Sequence, residues 1–274
     1  MRPLGQRYPT AFVSGASRGL GLAFAQMLLA DGVRVWGSSR EPSRLAGLGA
    51  GRPGAFLPVG LDLADGAGAL RAFQGAAAAA GGGFDLVVNN AGYGVYGEFA
   101  ATEASVWRAQ VEAMLGTVLE LSHAAFARMR ERGRGCLVNV SSIAAELPIP
   151  FMSGYNVAKA GLSALSESLM FEARGSGIRV IDFRPGDYQT DFNRAMLRDP
   201  PSEATRRARA ELERAFAASP APARAAADLR RALLGDASGV VRSGSLFQAR
   251  VAPLLARLSP APWVRWGTRR YFGL

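Results

Sequence analysis

Thr10-Ala11-Phe12-Val13-Ser14-Gly15-Ala16-Ser17-Arg18-Gly19-Leu20-Gly21 reads as a short apolar strand, a glycine-rich turn and the opening of a helix. Glycines in that place permit a tight turn and the close approach of a pyrophosphate. Its charge would meet backbone N–H groups and the positive end of the following helix. The spacing is G-x-x-x-G-x-G rather than the G-x-G-x-x-G of the common dinucleotide motif. In a chain with 33 glycines, three carry weight only because they fall between a strand and a helix near the N-terminus. Gly15, Ser17, Arg18, Gly19, Leu20 and Gly21 are therefore the expected cradle of a nucleotide.

Outward from this turn, short β-branched or apolar runs alternate with longer helical patterns, the signature of βα units around a parallel sheet. Strands are predicted at 10–14, 33–38, 55–59, 84–89, 136–141 and 178–183. Helices are predicted at 19–30, 65–80, 103–132, 153–174, 202–218 and 224–234. The expected fold class is α/β, a doubly wound parallel sheet of Rossmann type. A single domain spans 1–274, with a helical lid over 187–234 and a C-terminal tail over 246–274. At 274 residues with 49% hydrophobic content, one domain of this kind can bury a full core.

The charge balance is +10, with 32 basic residues against 22 acidic ones, yet Lys159 is the only lysine. A compact ammonium kept in a chain otherwise given to arginine suggests a role that a planar guanidinium does not fill. The basic residues are scattered rather than clustered beside aromatics, which argues against nucleic acid as a partner. One cysteine, Cys136, excludes an internal disulfide, and one histidine, His123, leaves no metal-ligand cluster, so no metal is expected. The N-terminus shows no charged segment followed by an apolar stretch, and no run approaches 18 apolar residues, so a cytoplasmic location is expected.

The second predicted strand ends at Ser38-Ser39-Arg40. An acid there would bind the ribose 2′-hydroxyl of NAD, whereas an arginine accommodates the 2′-phosphate of NADP. With Arg40 in place of an acid and Arg18 in the glycine turn, NADP(H) is the expected cofactor and NAD(H) the less favoured one.

Further motifs follow in order: Asp62-Leu63 after the third strand, Asn89-Asn90-Ala91-Gly92 after the fourth, Ser142, then Tyr155-Asn156-Val157-Ala158-Lys159, and Pro185-Gly186 with Thr190 after the sixth. Together with the glycine turn, these residues resemble the short-chain dehydrogenase/reductase superfamily over about 10–192. The resemblance implies an oxidoreductase acting on a CH–OH group, with Ser142, Tyr155 and Lys159 catalytic. It implies that Asp62, Leu63, Asn89, Ala91, Gly92, Pro185, Gly186 and Thr190 join the glycine turn, Arg40, Tyr155 and Lys159 in holding the cofactor. Homo-oligomers paired through the fourth and fifth helices are common among such proteins.

Family chemistry requires a proton donor at the substrate oxygen, the role of Tyr155, while Ser142 orients the carbonyl. For the reverse oxidation the tyrosine pKa must fall from about 10 to near 7, worth ~4 kcal/mol. An ammonium ~4 Å from the phenolate supplies ~4 kcal/mol at an effective dielectric of ~20, so Lys159 is expected to account for most of the fall. On a helix, the i, i+4 spacing puts Tyr155 and Lys159 on one face. One departure stands out. The family's N-x-x-G asparagine, which holds a water linking the lysine to solvent, is replaced by Ala113 in Val111-Glu112-Ala113-Met114-Leu115-Gly116. That departure keeps an alternative open: a nucleotide-binding scaffold or redox sensor with weak or no turnover.

Tyr93, Val95, Tyr96, Leu147, Pro148, Ile149, Phe151, Met152, Tyr188 and Phe192 would flank the substrate in this fold, which points to a small hydrophobic alcohol or its ketone or aldehyde. Arg194, Arg198, Arg206, Arg207, Arg209 and Arg214 crowd the lid. A solvated helix face paired with Glu203, Glu211 and Glu213 is preferred there over a site for an acidic thioester. The tail mixes Trp263, Trp266, Tyr271 and Phe272 with five arginines. It is read as packed over the substrate pocket, with peripheral membrane contact as the alternative, and Pro253, Pro260 and Pro262 forbid one long helix.

Overall fold

The computed structural model describes residues 3–51, 55–192, 196–198 and 202–274, and only the backbone of Leu197–Arg198. All six predicted strands form: β1 (Thr10–Val13), β2 (Arg34–Ser39), β3 (Phe56–Gly60), β4 (Leu86–Asn89), β6 (Gly135–Val140) and β7 (Ile178–Pro185). Three more were not anticipated: β5 (Val95–Tyr96), β8 (Leu197–Arg198) and β9 (Gly239–Ser243). The main sheet has seven parallel strands in the order β3-β2-β1-β4-β6-β7-β9, while β5 and β8 pair separately. This is a doubly wound Rossmann-type sheet, and the chain forms a single domain.

The helices are α1 (Leu4–Arg7), α2 (Gly19–Ala30), α3 (Gly66–Ala79), α4 (Ala104–Val111), α5 (Thr117–Arg132), α6 (Ser153–Glu172), α7 (Glu203–Ala217), α8 (Pro222–Leu234), α9 (Ala252–Leu258) and α10 (Ala261–Tyr271). They cover both faces of the sheet, and strand alternation sorts the core. Ala11 and Val13 point toward Phe24 of α2 and Leu229 and Leu233 of α8. Phe12, between them, points the other way, toward Phe73, Leu121 and Phe126, and meets the Phe73 ring edge-on at 4.9 Å.

The predicted helix over 103–132 is broken by a π-helical segment, Glu112–Gly116, between α4 and α5, and it ends at Gly133, whose φ of 62° suits a left-handed cap. The expected lid divides in two. α7 stands beside the active-site crevice, but α8 packs against α2 with Leu229 and Leu233 fully buried and belongs to the core. In the tail, Pro253 and Pro262 lie in the first turns of α9 and α10, where a missing N–H costs nothing. No helix among the described residues is long and apolar enough to cross a membrane.

β1 lies between β2 and β4, so the chain's winding reverses there and a crevice opens beyond the carboxyl ends of those strands. The glycine turn enters this crevice. Gly15 and Gly19 take φ values of 68° and 56°. Gly21 lies behind the turn, where a Cβ would stand 2.5 Å from Asn90 Nδ2 and overlap the Gly15 carbonyl. Gly21→Ala is therefore expected to lower the denaturant midpoint by an amount worth roughly 2–4 kcal/mol. An unchanged midpoint would show that the turn yields to the methyl group.

Candidate active site

A cavity of about 1060 Å³ fills the crevice and runs under α7 and the tail helices. At one end the β1–α2 and β4–β5 connections are tied together. Ser14 Oγ accepts from the N–H groups of Asn90 at 2.9 Å and Ala91 at 3.0 Å, and Asn90 Nδ2 donates to the Ser14 carbonyl at 2.9 Å. Gly15, Ser17, Arg18, Gly19 and Leu20 line this end, with Arg40 opposite. Asp62, Leu63, Ala91 and Gly92 continue the wall, and Pro185, Gly186 and Thr190 close it from β7.

Two expected cofactor residues lie off the wall. Gly21 supports the turn from behind. Asn89 is the last residue of β4, turned into the sheet with its amide donating at 2.9 Å to both Ser122 Oγ and Asn139 Oδ1. Asn90, the first residue past the strand, lines the crevice in its place. The sequence reading also found no acid at this end, yet Glu41 reaches the wall, where Arg44 engages its carboxylate at 2.7 Å.

These residues fit a dinucleotide. A Cβ on Gly15 would come within 3.0 Å of Ala91 Cα, so the turn admits backbone approach only. No side chain caps α2 at Arg18, which leaves its first-turn N–H groups to an anion.

At the other end the structure brings Ser142, Tyr155 and Lys159 together. Ser142 Oγ accepts from Ala144 N–H at 3.0 Å and donates to the Pro185 carbonyl at 3.4 Å, and the buried Tyr155 lines the same floor. Lys159, one turn along α6, is 5% exposed and donates to the Val140 carbonyl at 2.7 Å, its Nζ 5.7 Å from the centre of the Tyr155 ring. Gly92 keeps this floor open, since a Cβ there would press on Met114 Cε at 3.0 Å. Ala113 forms part of the wall within the π-helical segment, with no amide in its side chain to hold a water.

The expected lowering of the tyrosine pKa by the lysine is not a property of the protein alone. Burial pushes the Tyr155 phenol up to about 12, the nearby Ser142 hydroxyl pulls it down, and the charge of Asp187 raises it further. Burial also lowers Lys159 to about 8, opposed by Asp182. The ammonium spends its contacts on the Val140 carbonyl and the field of Asp182 rather than on the phenol.

Asp182 and Asp187 escaped the sequence reading as site residues. Asp182, wholly buried on β7, accepts from Ser141 Oγ, from Ser163 Oγ at 2.8 Å and from Arg184 Nε at 2.7 Å. Arg184 reaches on to Glu146 at 2.5 Å, and Glu146 pairs with Arg242 of β9 at 2.8 Å. Asp187 lines the cavity and accepts from Gln248 Nε2, while its own N–H donates to Gln248 Oε1 at 3.1 Å. Asp182 sits in no motif, and Asp187 falls between Gly186 and Thr190 at a position that motif leaves open, so only the strand register of β7 and the return of the tail reveal them.

On the substrate side Tyr93, Leu147, Pro148, Ile149, Met152, Tyr188 and Phe192 line the cavity as expected. Val95, Tyr96 and Phe151 stand behind it; Tyr96 donates to the Thr205 carbonyl at 3.0 Å, and its ring lies tilted against Phe151 with centroids 5.8 Å apart. Leu212 and Phe216 of α7, and Leu255, Trp263 and Tyr271 of the tail, complete the wall. The α7 arginines are paired within their helix, Arg206 and Arg207 with Glu203 at 2.9 Å and Arg209 with Glu213 at 2.8 Å, as a solvated face requires. Arg194 and the side chain of Arg198 lie outside the described residues.

Fold and site define an oxidoreductase of Rossmann type. The short chain dehydrogenase family profile matches residues 9–201, and the chain belongs to the short-chain dehydrogenase/reductase superfamily. A short-chain dehydrogenase structure from Streptomyces avermitilis superposes with a TM-score of 0.82 at 30% identity, covering 96% of this chain and 95% of that one. A gluconate 5-dehydrogenase from Burkholderia cenocepacia, solved with NADP and tartrate, gives a TM-score of 0.62 at 28% identity over 68% of this chain and 74% of that one. A 3-ketodihydrosphingosine reductase from Bacteroides thetaiotaomicron is 32% identical over 181 residues, 66% of this chain and 64% of that protein.

Because Asp182 raises the Lys159 pKa, Asp182→Asn is expected to lower it. With rising pH the ammonium would then be lost earlier, so the alkaline fall in kcat/KM moves to lower pH. A pH–rate profile that keeps its wild-type limb would remove Asp182 from the lysine's surroundings.

Proposed function

We propose that the protein is an NADP(H)-dependent reductase of a hydrophobic ketone or aldehyde, with Tyr155 as the proton donor. The observation that carries this reading is the Ser142–Tyr155 hydroxyl pair on the floor of a cavity walled by Ile149, Met152, Phe192, Leu212, Phe216 and Trp263. Such a wall gains affinity by burying hydrocarbon, at roughly 0.8 kcal/mol per CH₂. Family membership alone leaves the substrate open, because one relative is a gluconate 5-dehydrogenase and another a 3-ketodihydrosphingosine reductase.

A bound nicotinamide supplies the hydride. Ser142 Oγ hydrogen-bonds the carbonyl oxygen and orients it. Tyr155 Oη gives its proton to that oxygen as the carbon is reduced, so a ketone becomes a secondary alcohol. Lys159 holds its positive charge beside the phenolate that remains. With the phenol near 12 in the protein alone, Tyr155 is protonated at neutral pH, the form that can donate to a carbonyl oxygen.

For the cofactor, Arg18, Arg40 and Arg44 share the wall at the end of β2 with two acids, Asp62 and Glu41, of which Glu41 is engaged by Arg44. That balance favours a 2′-phosphate over a free 2′-hydroxyl. The outer faces of α5 and α6 expose Leu119, Val157 and Phe171, which suits homo-oligomer pairing through those helices. The rival reading, a nucleotide-binding scaffold with weak turnover, draws its support from Ala113.

Oxidation of NADPH with a panel of hydrophobic ketones is expected to proceed, and to fall about 10²–10⁴-fold in Tyr155→Phe. Arg40→Ala is expected to raise the KM for NADPH about tenfold while sparing that for NADH, the loss of one charge-assisted contact. Turnover of sugar acids but not of hydrophobic ketones would overturn the substrate class. Tight NADPH binding without turnover on any carbonyl would favour the scaffold.

A further inference from the structure

Fourteen large apolar side chains stand exposed among the described residues, and all but Phe99, Leu119, Val157 and Phe171 lie between Leu246 and Leu274. Val251, Leu254, Leu255 and Leu258 recur at three- and four-residue steps along one helical run, and Trp263 and Trp266 share a face of α10. The same stretch carries Arg250, Arg257, Arg265, Arg269 and Arg270 and no aspartate or glutamate. None of the five arginines meets a carboxylate among the described residues. Leu255, Trp263 and Trp266 belong to the cavity wall yet are 54%, 68% and 65% exposed, so they form its rim.

We propose that α9 and α10 are the face by which this protein docks on an anionic lipid surface, presenting the mouth of the cavity to the bilayer. Amphipathic tryptophans suit the headgroup level, and leucines on the same helices supply the buried apolar area. The countercharge that these arginines lack among the described residues is what anionic lipid provides. A second copy is a poor occupant, because a twofold contact sets a patch against itself and would face five uncompensated arginines with five more. Entry of substrate from the lipid rests on the hydrophobic-substrate reading; docking does not.

The test is co-flotation of the full chain with vesicles of phosphatidylcholine alone and of phosphatidylcholine mixed with phosphatidylglycerol, without substrate. Recovery is expected with the anionic vesicles and not the neutral ones, and it is expected to be lost at about 1 M salt, where the screening length is about 3 Å. Arg269→Ala/Arg270→Ala is expected to weaken binding roughly tenfold or more. Trp263→Ser/Trp266→Ser should abolish it at an unchanged thermal midpoint. Equal recovery with both vesicles, or recovery with neither, overturns the proposal. So does a concentration-dependent dimer that disappears in the tryptophan variant, which would assign the face to a second copy. Failure to reduce hydrophobic ketones would sink the functional reading and leave docking standing.

Discussion

The buried ammonium of Lys159 is the constraint around which this site is arranged. A charge 5% exposed has lost its water, and the Val140 carbonyl alone does not replace it, which is why burial drags the lysine down to about 8. Asp182 holds the value from falling further, but a wholly buried carboxylate brings a burial cost of its own. It is met by two serine hydroxyls and the Arg184 guanidinium, and Arg184 is met in turn by Glu146, where burial tends to raise the carboxyl pKa but the hydrogen bonds from Arg242 and Arg184 more than offset it. The chain of compensation ends only at Arg242, on the last strand of the sheet. Residues 141 to 242 are thus tied electrostatically to a single catalytic-face cation, and such a network is worth having only when every member is satisfied.

How much of this could be read beforehand depends on how local each signal is. The glycine turn and the Tyr155-to-Lys159 step each carry their signal within a strand end or a helix turn, and with Ser142 they were legible as motifs that resemble the family. Asn89 and Asn90 show the limit of that method. Both belong to one motif, but the last pleat of β4 turns Asn89 into the sheet and releases Asn90 into the crevice, and a single residue of strand end decides which one faces a ligand. The Asp182 network was illegible because its members are scattered from 141 to 242 and meet only after β6, β7 and β9 pair. β9 itself, five residues beginning with glycine at the sheet edge, carries little signal until β7 offers it a partner. The expected fall of the tyrosine pKa is not a property of the protein alone for a related reason: desolvation governs both Tyr155 and Lys159 there.

The tail changes how the site should be understood. Residues 9–201, the span that the family profile matches, supply the sheet, the nucleotide turn and the reacting hydroxyls. The walls that face a substrate come in large part from beyond that span, from Leu212 and Phe216 and then from Leu255, Trp263 and Tyr271. Residues 9–201 thus share the substrate wall with a length of chain that the family profile does not describe, and homology in the first says little about the part the second supplies.

The two parts are nonetheless joined at one point. Gln248 binds Asp187 through both its carbonyl and its amide, directly after the Pro185-Gly186 pair that borders the cofactor end. Burial raises the Asp187 carboxyl pKa, and the Gln248 hydrogen bond works against that rise, favouring the ionised form. The ionised carboxylate in turn raises the Tyr155 pKa. Seating of the tail thus bears on the strength of the acid at the other end of the cavity. A segment that shapes the cavity wall also acts on the tyrosine proposed as the proton donor, so the two ends of the cavity are not electrostatically separable.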